Sequence, residues 1–526
     1  MSSQPSPIPN PSPDPVPPPR PAPVPPRPAL PPWGVPLNRP SAAPADQGQV
    51  QGSKAKVKGQ GKGKGKGPQT PEEKPAPWGW LEAFLISQTV LPALVFIPGT
   101  SPLRTPIRAA AYVIGLVAWY YVAKKAKFGP GSKSFPARPW LLACGYWLIL
   151  SILHPNTYSL VSAIAQVAMY FSVLSPAIWA PLALKSPKQV GRLMMIMLFC
   201  NATSSMFGML QVYKPETFNP PYIPAMNNIF GGADLMYEGA GGKKIMRPCG
   251  LTDTPGGVAP AALATALTGL CWAMMPLAIW KRIGSLGIAF LGVAVIYYTQ
   301  VRFSFVMLSI CVLTLTGLLI LQRDMKRAAL LSTSAISLIV VAFTFVALTA
   351  GDAMVNRFMT LATNDPGKLY GDSRGSFIEE TFDVLIWDYP LGYGMGWWGM
   401  INAIFGSPGK PSTVWCEVMI PAWVFDGGLP LFIGYVIAIL AAMFDSLRIA
   451  LTCKDKEVAY WASVIIAYNL STIATCFSIV TFLSPLGLPF WLLSGALHAA
   501  DARTRVVKKA PAIGPAPMPR PGPAMA

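Results

Sequence analysis

Phe303-Ser-Phe-Val-Met-Leu-Ser-Ile-Cys-Val-Leu-Thr-Leu-Thr-Gly-Leu-Leu-Ile-Leu321 contains no Asp, Glu, Lys, Arg or His and is bracketed by Arg302 and Arg323. A membrane-crossing helix needs about 20 largely apolar residues, and this stretch has that length and composition. It is one of twelve such segments: 78–98, 106–123, 139–154, 158–183, 190–210, 258–280, 283–299, 303–321, 328–349, 418–443, 459–480 and 484–499. The expected fold is therefore an all-α integral membrane protein of about twelve transmembrane helices, within a transmembrane region at 78–500. Two connections are long, 211–257 and 350–417.

Composition agrees. Charged residues make up 12% of the 526-residue chain, against about 25% in soluble domains, and the mean hydropathy is +0.42. Eight cysteines in this length exclude a disulfide scaffold. The net charge of +19 would suggest nucleic acid in a soluble protein, but its placement says otherwise. With the N-terminus cytoplasmic, the inner connections and tails carry 30 Lys/Arg against 9 acids, and the outer connections 10 against 12. Cytoplasmic loops are the basic ones in membrane proteins. The excess thus reads as topology plus attraction to anionic lipid, both termini are placed in the cytoplasm, and nucleic acid is excluded as a partner.

The ends differ in kind. Residues 1–77 hold 19 prolines between positions 5 and 44, then the linker Lys58-Gly-Gln-Gly-Lys62-Gly-Lys64-Gly-Lys66-Gly67. Neither stretch has the apolar surface to offset its ordering entropy, so a disordered cytoplasmic tail is expected, as a spacer or as a ligand for a proline-recognising partner. Nothing apolar precedes Trp78, so no signal peptide is expected. Residues 501–526 form a second basic, proline-rich tail.

Because the helices are nearly free of ionisable groups, chemistry is expected at the outer face. Three outer arginines stand out: Arg247 in Arg247-Pro-Cys-Gly-Leu-Thr-Asp-Thr-Pro-Gly256, Arg302 after Thr299-Gln-Val, and Arg374 in Gly371-Asp-Ser-Arg-Gly375. Guanidinium matches phosphate oxygens with paired donors, so three together would hold a diphosphate; headgroup contact or pairing with outer acids is the alternative. From Arg374 to Asp388, Phe377, Phe382 and Ile386 alternate with Glu379, Glu380 and Asp383 at the spacing of an amphipathic helix on a membrane surface. Leu391-Gly-Tyr-Gly-Met-Gly-Trp-Trp398 follows. Gly392 and Gly394 there permit either a ligand's close approach or a tight turn, and Trp397 and Trp398 either stack on sugar or anchor at the interface.

These motifs resemble, over about 240–445, the O-antigen ligase and O-antigen polymerase superfamily of bacterial inner-membrane proteins. The matching elements are Arg247-Pro-Cys-Gly250 with Pro255-Gly256, Val301-Arg302, Arg374 with Trp387 and Pro390-Leu-Gly392-Tyr-Gly394, and Asp426-Gly-Gly428-Leu-Pro430. Nine residues before Asp426, where the family carries a histidine, stands Glu417. A base role then falls to Glu417, unless it pairs with an arginine as a structural carboxylate.

The resemblance implies a glycosyl- or oligosaccharyltransferase of ligase type, needing no metal and no cofactor. It would move a polyprenyl-diphosphate-linked glycan to a lipid or glycan hydroxyl at the outer face of the bacterial inner membrane. Arg374, Arg302 and Glu417 would be catalytic, and Arg247, Gly392, Gly394, Asp426 and Trp398 would bind substrate. Repeat-unit polymerisation, a polysaccharide exporter and a non-enzymatic scaffold are the alternatives. Cys249 and Cys416, the two outer cysteines, would either form a disulfide or remain lipid-shielded thiols.

Overall fold

The computed structural model describes residues 77–125, 135–220, 236–238, 244–350, 367, 370–405 and 416–509. These lie in the second of two compact units, Glu73–Ala526. The proline-rich tail, the Lys/Gly linker, parts of both long connections and the chain beyond residue 509 lie outside the described residues.

Each of the twelve apolar segments contains a helix: α1 (Trp80–Ala93), α2 (Arg104–Lys125), α3 (Arg138–Ser151), α4 (Leu160–Ala183), α5 (Gln189–Tyr213), α6 (Ala259–Ala273), α7 (Ile279–Thr299), α8 (Arg302–Leu321), α9 (Met325–Ala350), α10 (Met419–Thr452), α11 (Lys456–Thr475) and α12 (Gly487–Lys509). Among the described residues, eight of these (α2, α4, α5, α7, α8, α9, α10 and α11) are long and apolar enough to cross a membrane. The chain is a helical membrane protein. Among the described residues, the departure from all-helical structure is one antiparallel pair, β1 (Met236–Glu238) with β2 (Lys244–Met246), in register Tyr237 to Ile245.

Two of the remaining helices are interior. Almost every residue of α6 is buried, as are Phe490, Trp491, Leu492, Leu493 and Leu497 of α12. Exposed apolar side chains belong to helices such as α2 (Val113, Tyr120) and α9 (Ile336, Val340, Leu348), as expected of surfaces facing lipid. Small residues let backbones touch. A Cβ on Gly292 of α7 would lie 2.5 Å from Ala266 N of α6, and one on Gly269 would lie 2.8 Å from Ala289 N.

α10, at 34 residues, is longer than expected and is broken at Gly428, where φ is +65°. Pro430 has no N–H to give, and Leu429 N donates to Pro390 O (2.9 Å) rather than along the helix. Phe425 O, its helical partner, instead accepts Tyr393 N (2.8 Å). The break therefore trades helical hydrogen bonds for bonds to a connection segment.

Five connections and the start of α2 converge at one end of the bundle. Arg108, near the start of α2, meets Asp253 before α6; Tyr158 N, between α3 and α4, donates to Met395 O (3.0 Å). Gly256 approaches Val301, between α7 and α8. Tyr112 OH donates to Leu483 O (3.1 Å), between α11 and α12. At the opposite end, Glu82 accepts from Gln189 (3.1 Å) and Arg192 (3.3 Å). A second cluster there joins Asp445, Arg448, His498, Asp501 and Arg505 across α10 and α12.

Candidate functional site

Arg374 and Glu417 come together at the convergent end. A helical segment at 371–388 carries Arg374 and contains two widened turns, Ser376 N to Gly371 O and Ile386 N to Thr381 O. Thr381 and Ile386 are buried and Phe382 sits edge-on to Phe432 of α10 at 6.1 Å, while Glu379, Glu380 and Asp383 are exposed. The amphipathic helix expected from sequence is thus present. Phe382 and Trp387 nevertheless stay exposed on it, because the segment buries only a narrow stripe against α10.

Arg374 Nε lies 3.4 Å from Glu417 Oε2, and its Nη1 donates to Ser478 Oγ at 2.6 Å. Both charged side chains are more than a third exposed. The geometry can present a guanidinium to an incoming anion beside a carboxylate able to take a proton.

The other two arginines share a different neighbourhood. A Cβ built on Gly256 would lie 3.9 Å from Arg247 Cδ and 3.7 Å from Val301 Cγ2, the residue before Arg302. Arg302 opens α8 and is half-buried. The segment after Arg247 is held by Gln211, whose Oε1 accepts Cys249 N and Gly250 N, each at 2.8 Å, and whose Nε2 donates to Gly250 O at 2.8 Å.

Its acid, Asp253, is buried against two arginines of α2. Arg108 Nε donates to Oδ1 (3.1 Å), Arg108 Nη2 pairs with Oδ2 (2.7 Å), and Arg104 Nη1 stands 4.0 Å away. Sequence reasoning assigned no role to Arg104, Arg108 or Asp253. The available signal was Arg104 and Arg108 at i, i+4 spacing on one helix face, with a lone acid in the Arg247 segment. Nothing in the sequence pointed to Ser478.

Several expected substrate contacts prove to be internal. Asp426 is buried: Oδ2 accepts Gln166 Nε2 (3.0 Å) and Tyr170 OH (2.8 Å), and Oδ1 accepts Trp398 Nε1 (2.8 Å). With those donors in place and 1% of its surface exposed, it holds α4 and the 390–398 loop together. Trp398 is equally enclosed. Its neighbour Trp397 is partly exposed; its indole N–H donates to Asn156 O and its ring stands edge-on to Tyr158 at 4.9 Å.

Gly392 and Gly394 make close approaches, but to the protein's own backbone. A Cβ on Gly392 would lie 3.0 Å from Gly427 N and Gly428 N, and one on Gly394 would lie 2.8 Å from Asn156 O. Both have positive φ, which glycine alone adopts without strain. The tight-turn reading is therefore the one that applies.

Of the two states open to Cys249 and Cys416, the structure has both as free thiols, and both are buried. Burial pushes the Cys249 thiol up to about 12 and raises that of Cys416 as well.

No family model matches this chain, and no curated protein matches it in sequence.

Proposed function

We propose that the protein is a membrane glycan transferase of O-antigen ligase type, acting on a polyprenyl-diphosphate-linked glycan at the outer face of a bacterial inner membrane. One observation carries this reading. The arginine and the carboxylate to which the sequence resemblance gives the reaction, Arg374 and Glu417, stand 3.4 Å apart and open to the exterior at the convergent end. Arg247 and Val301, the residue before Arg302, flank Gly256 at that same end. The short connections of the opposite end are the basic ones, which supports a cytoplasmic assignment for that end.

In the reaction, an acceptor hydroxyl attacks the anomeric carbon of the donor sugar. The glycosidic C–O bond to the lipid diphosphate breaks and its electron pair leaves with the diphosphate. The hydroxyl proton passes to the Glu417 carboxylate. Arg374 supplies positive charge where the leaving diphosphate gains negative charge, a contribution worth on the order of 10²–10³ in rate per donor. A second glycan as acceptor would make the same chemistry a repeat-unit polymerisation.

The test is glycan transfer in reconstituted membranes containing a polyprenyl-diphosphate glycan and native lipid extract as acceptor. Arg374→Ala and Glu417→Gln should each lose transfer by about 100-fold or more while inserting normally. Absence of transfer by the unaltered protein, with donor and acceptor verified on an active ligase, would replace this reading with the exporter or the scaffold.

A further inference from the structure

The turn between α11 and α12 looks like a plain connection, yet three consecutive residues in it hold three parts of the candidate site. Cys476 O accepts Met419 N at 2.9 Å, which fixes the chain two residues beyond Glu417. Phe477 O accepts Tyr370 OH at 2.8 Å, and Ser478 Oγ accepts Arg374 Nη1 at 2.6 Å. Segment 371–388 and the start of α10 are thus docked on the same short wall.

The two contacts of Arg374 differ in kind. Ser478 is buried, on a turn tied by Ser478 N to Thr475 O at 2.9 Å, and its bond to the guanidinium is short. The Glu417 contact is 3.4 Å, beyond the 2.7–2.9 Å of a strong charge-assisted bond, and its two side chains are 37% and 40% exposed. Exposed ion pairs are cheap to break, typically a few-fold in an equilibrium. Of the five guanidinium N–H donors, the contacts among the described residues use two.

Building on the transferase reading above, we propose that Ser478 is the positioning residue of Arg374 and that Glu417 is its exchangeable counter-ion, displaced when a phosphoryl anion binds. In the structure the carboxylate stands in the place of an anion. A diphosphate, with more charge and more acceptor oxygens, takes that place. The guanidinium does not follow the carboxylate away, because Nη1 stays on Ser478. The displaced carboxylate is then unpaired, which is the state in which it accepts a proton. One exchange thereby couples donor binding to release of the base.

The experiment is calorimetric titration of inorganic pyrophosphate into the full chain in phosphatidylcholine nanodiscs. The unaltered protein should bind saturably, and Arg374→Ala should abolish binding. Glu417→Gln should tighten it by about threefold to tenfold, since the competing charge is gone. Ser478→Ala should weaken it by about tenfold and Ser478→Thr should restore it, a rescue that a merely structural serine would not give.

Equal or weaker affinity in Glu417→Gln would overturn the exchange, and unchanged affinity in Ser478→Ala would overturn the anchor. No binding by the unaltered protein would overturn both. In phosphatidylglycerol nanodiscs the gain from Glu417→Gln should persist; its disappearance would assign the guanidinium to lipid headgroups and overturn the diphosphate. Failure of glycan transfer with this binding pattern intact would remove the transferase reading and leave the exchange standing.

Discussion

Trp398 gives its indole N–H to Asp426 at 2.8 Å, and neither side chain reaches the surface. The carboxylate also takes Gln166 and Tyr170 of α4, so one buried acid joins α4, α10 and the 390–398 loop. The Asp-Gly-Gly-Leu-Pro element and the Pro-x-Gly-x-Gly element are two halves of one joint, made of side-chain bonds to Asp426 and backbone exchange at Gly428.

Asp426→Leu should destabilise the fold by about 3–5 kcal/mol, because three buried donors lose their acceptor and each costs about 1–3 kcal/mol unsatisfied. Asp426→Asn keeps one oxygen and should cost about 1–3 kcal/mol. Thermal unfolding in detergent, followed by tryptophan fluorescence, measures both. An unchanged midpoint for Asp426→Leu would contradict the joint.

Arg108→Ala should destabilise the packing of α2 against the segment before α6. Among the described residues it leaves the Asp253 carboxylate, 5% exposed, with Arg104 at 4.0 Å as its remaining cation. A cost of about 2–4 kcal/mol is expected for a buried charge stripped of its paired donors. Arg108→Lys should recover little of it, since an ammonium cannot supply the two parallel bonds. Limited proteolysis of the segment around Asp253 would show its release.

Gly428→Ala should fail where Gly284→Ala does not. A Cβ at Gly428 would lie 2.2 Å from Pro390 O, and the +65° φ is strained for alanine. A cost of about 3 kcal/mol or more, or no folded protein, is expected. Gly284, in α7, has no neighbour within 4 Å of its Cβ position, and alanine there should raise stability by about 0.5–1 kcal/mol through helix propensity. Comparing monodisperse yield and unfolding midpoint of the two variants decides the point.

Cys249 and Cys416 should resist maleimide in the native protein and react after unfolding, and no peptide linking them should appear on non-reducing digestion. The sign follows from the raised thiol: with its pKa near 12, the reactive thiolate of Cys249 is on the order of one part in 10⁴ at pH 8. Labelling of Cys249 should therefore stay slow until well above pH 10. Fast labelling at pH 8 would place it at the surface.

Much of the architecture was legible before any coordinate. Each of the twelve apolar segments holds a helix, since an uninterrupted apolar stretch must satisfy its own backbone hydrogen bonds and a helix does so locally. The amphipathic spacing after Arg374 likewise placed a helical segment there. Legibility stopped at the site. Arg374 was singled out for phosphate and Glu417 for proton transfer or arginine pairing, yet only Ser478 explains why the guanidinium is held in place, and it sits 104 residues away in an unremarked turn. Gly392, Gly394, Trp398 and Asp426 meet partners within the protein, which the sequence does not reveal for one reason. A turn glycine, a tryptophan and an acid look alike in sequence whether their partner is a ligand or another helix.

What the sequence determined by itself is the set of helices and their spacing along the chain, because helix formation in an apolar stretch is a local matter settled within a few residues. What only the tertiary structure decided is which polar groups are spent inside and which remain exposed. Asp253 meets Arg108 across 145 residues and Asp426 meets Gln166 across 260, and helix packing alone sets those distances. Packing satisfied the first acid with arginine and the second with neutral donors. It left Arg374 and Glu417 joined but open, because their segment rests on the end of the bundle rather than within it.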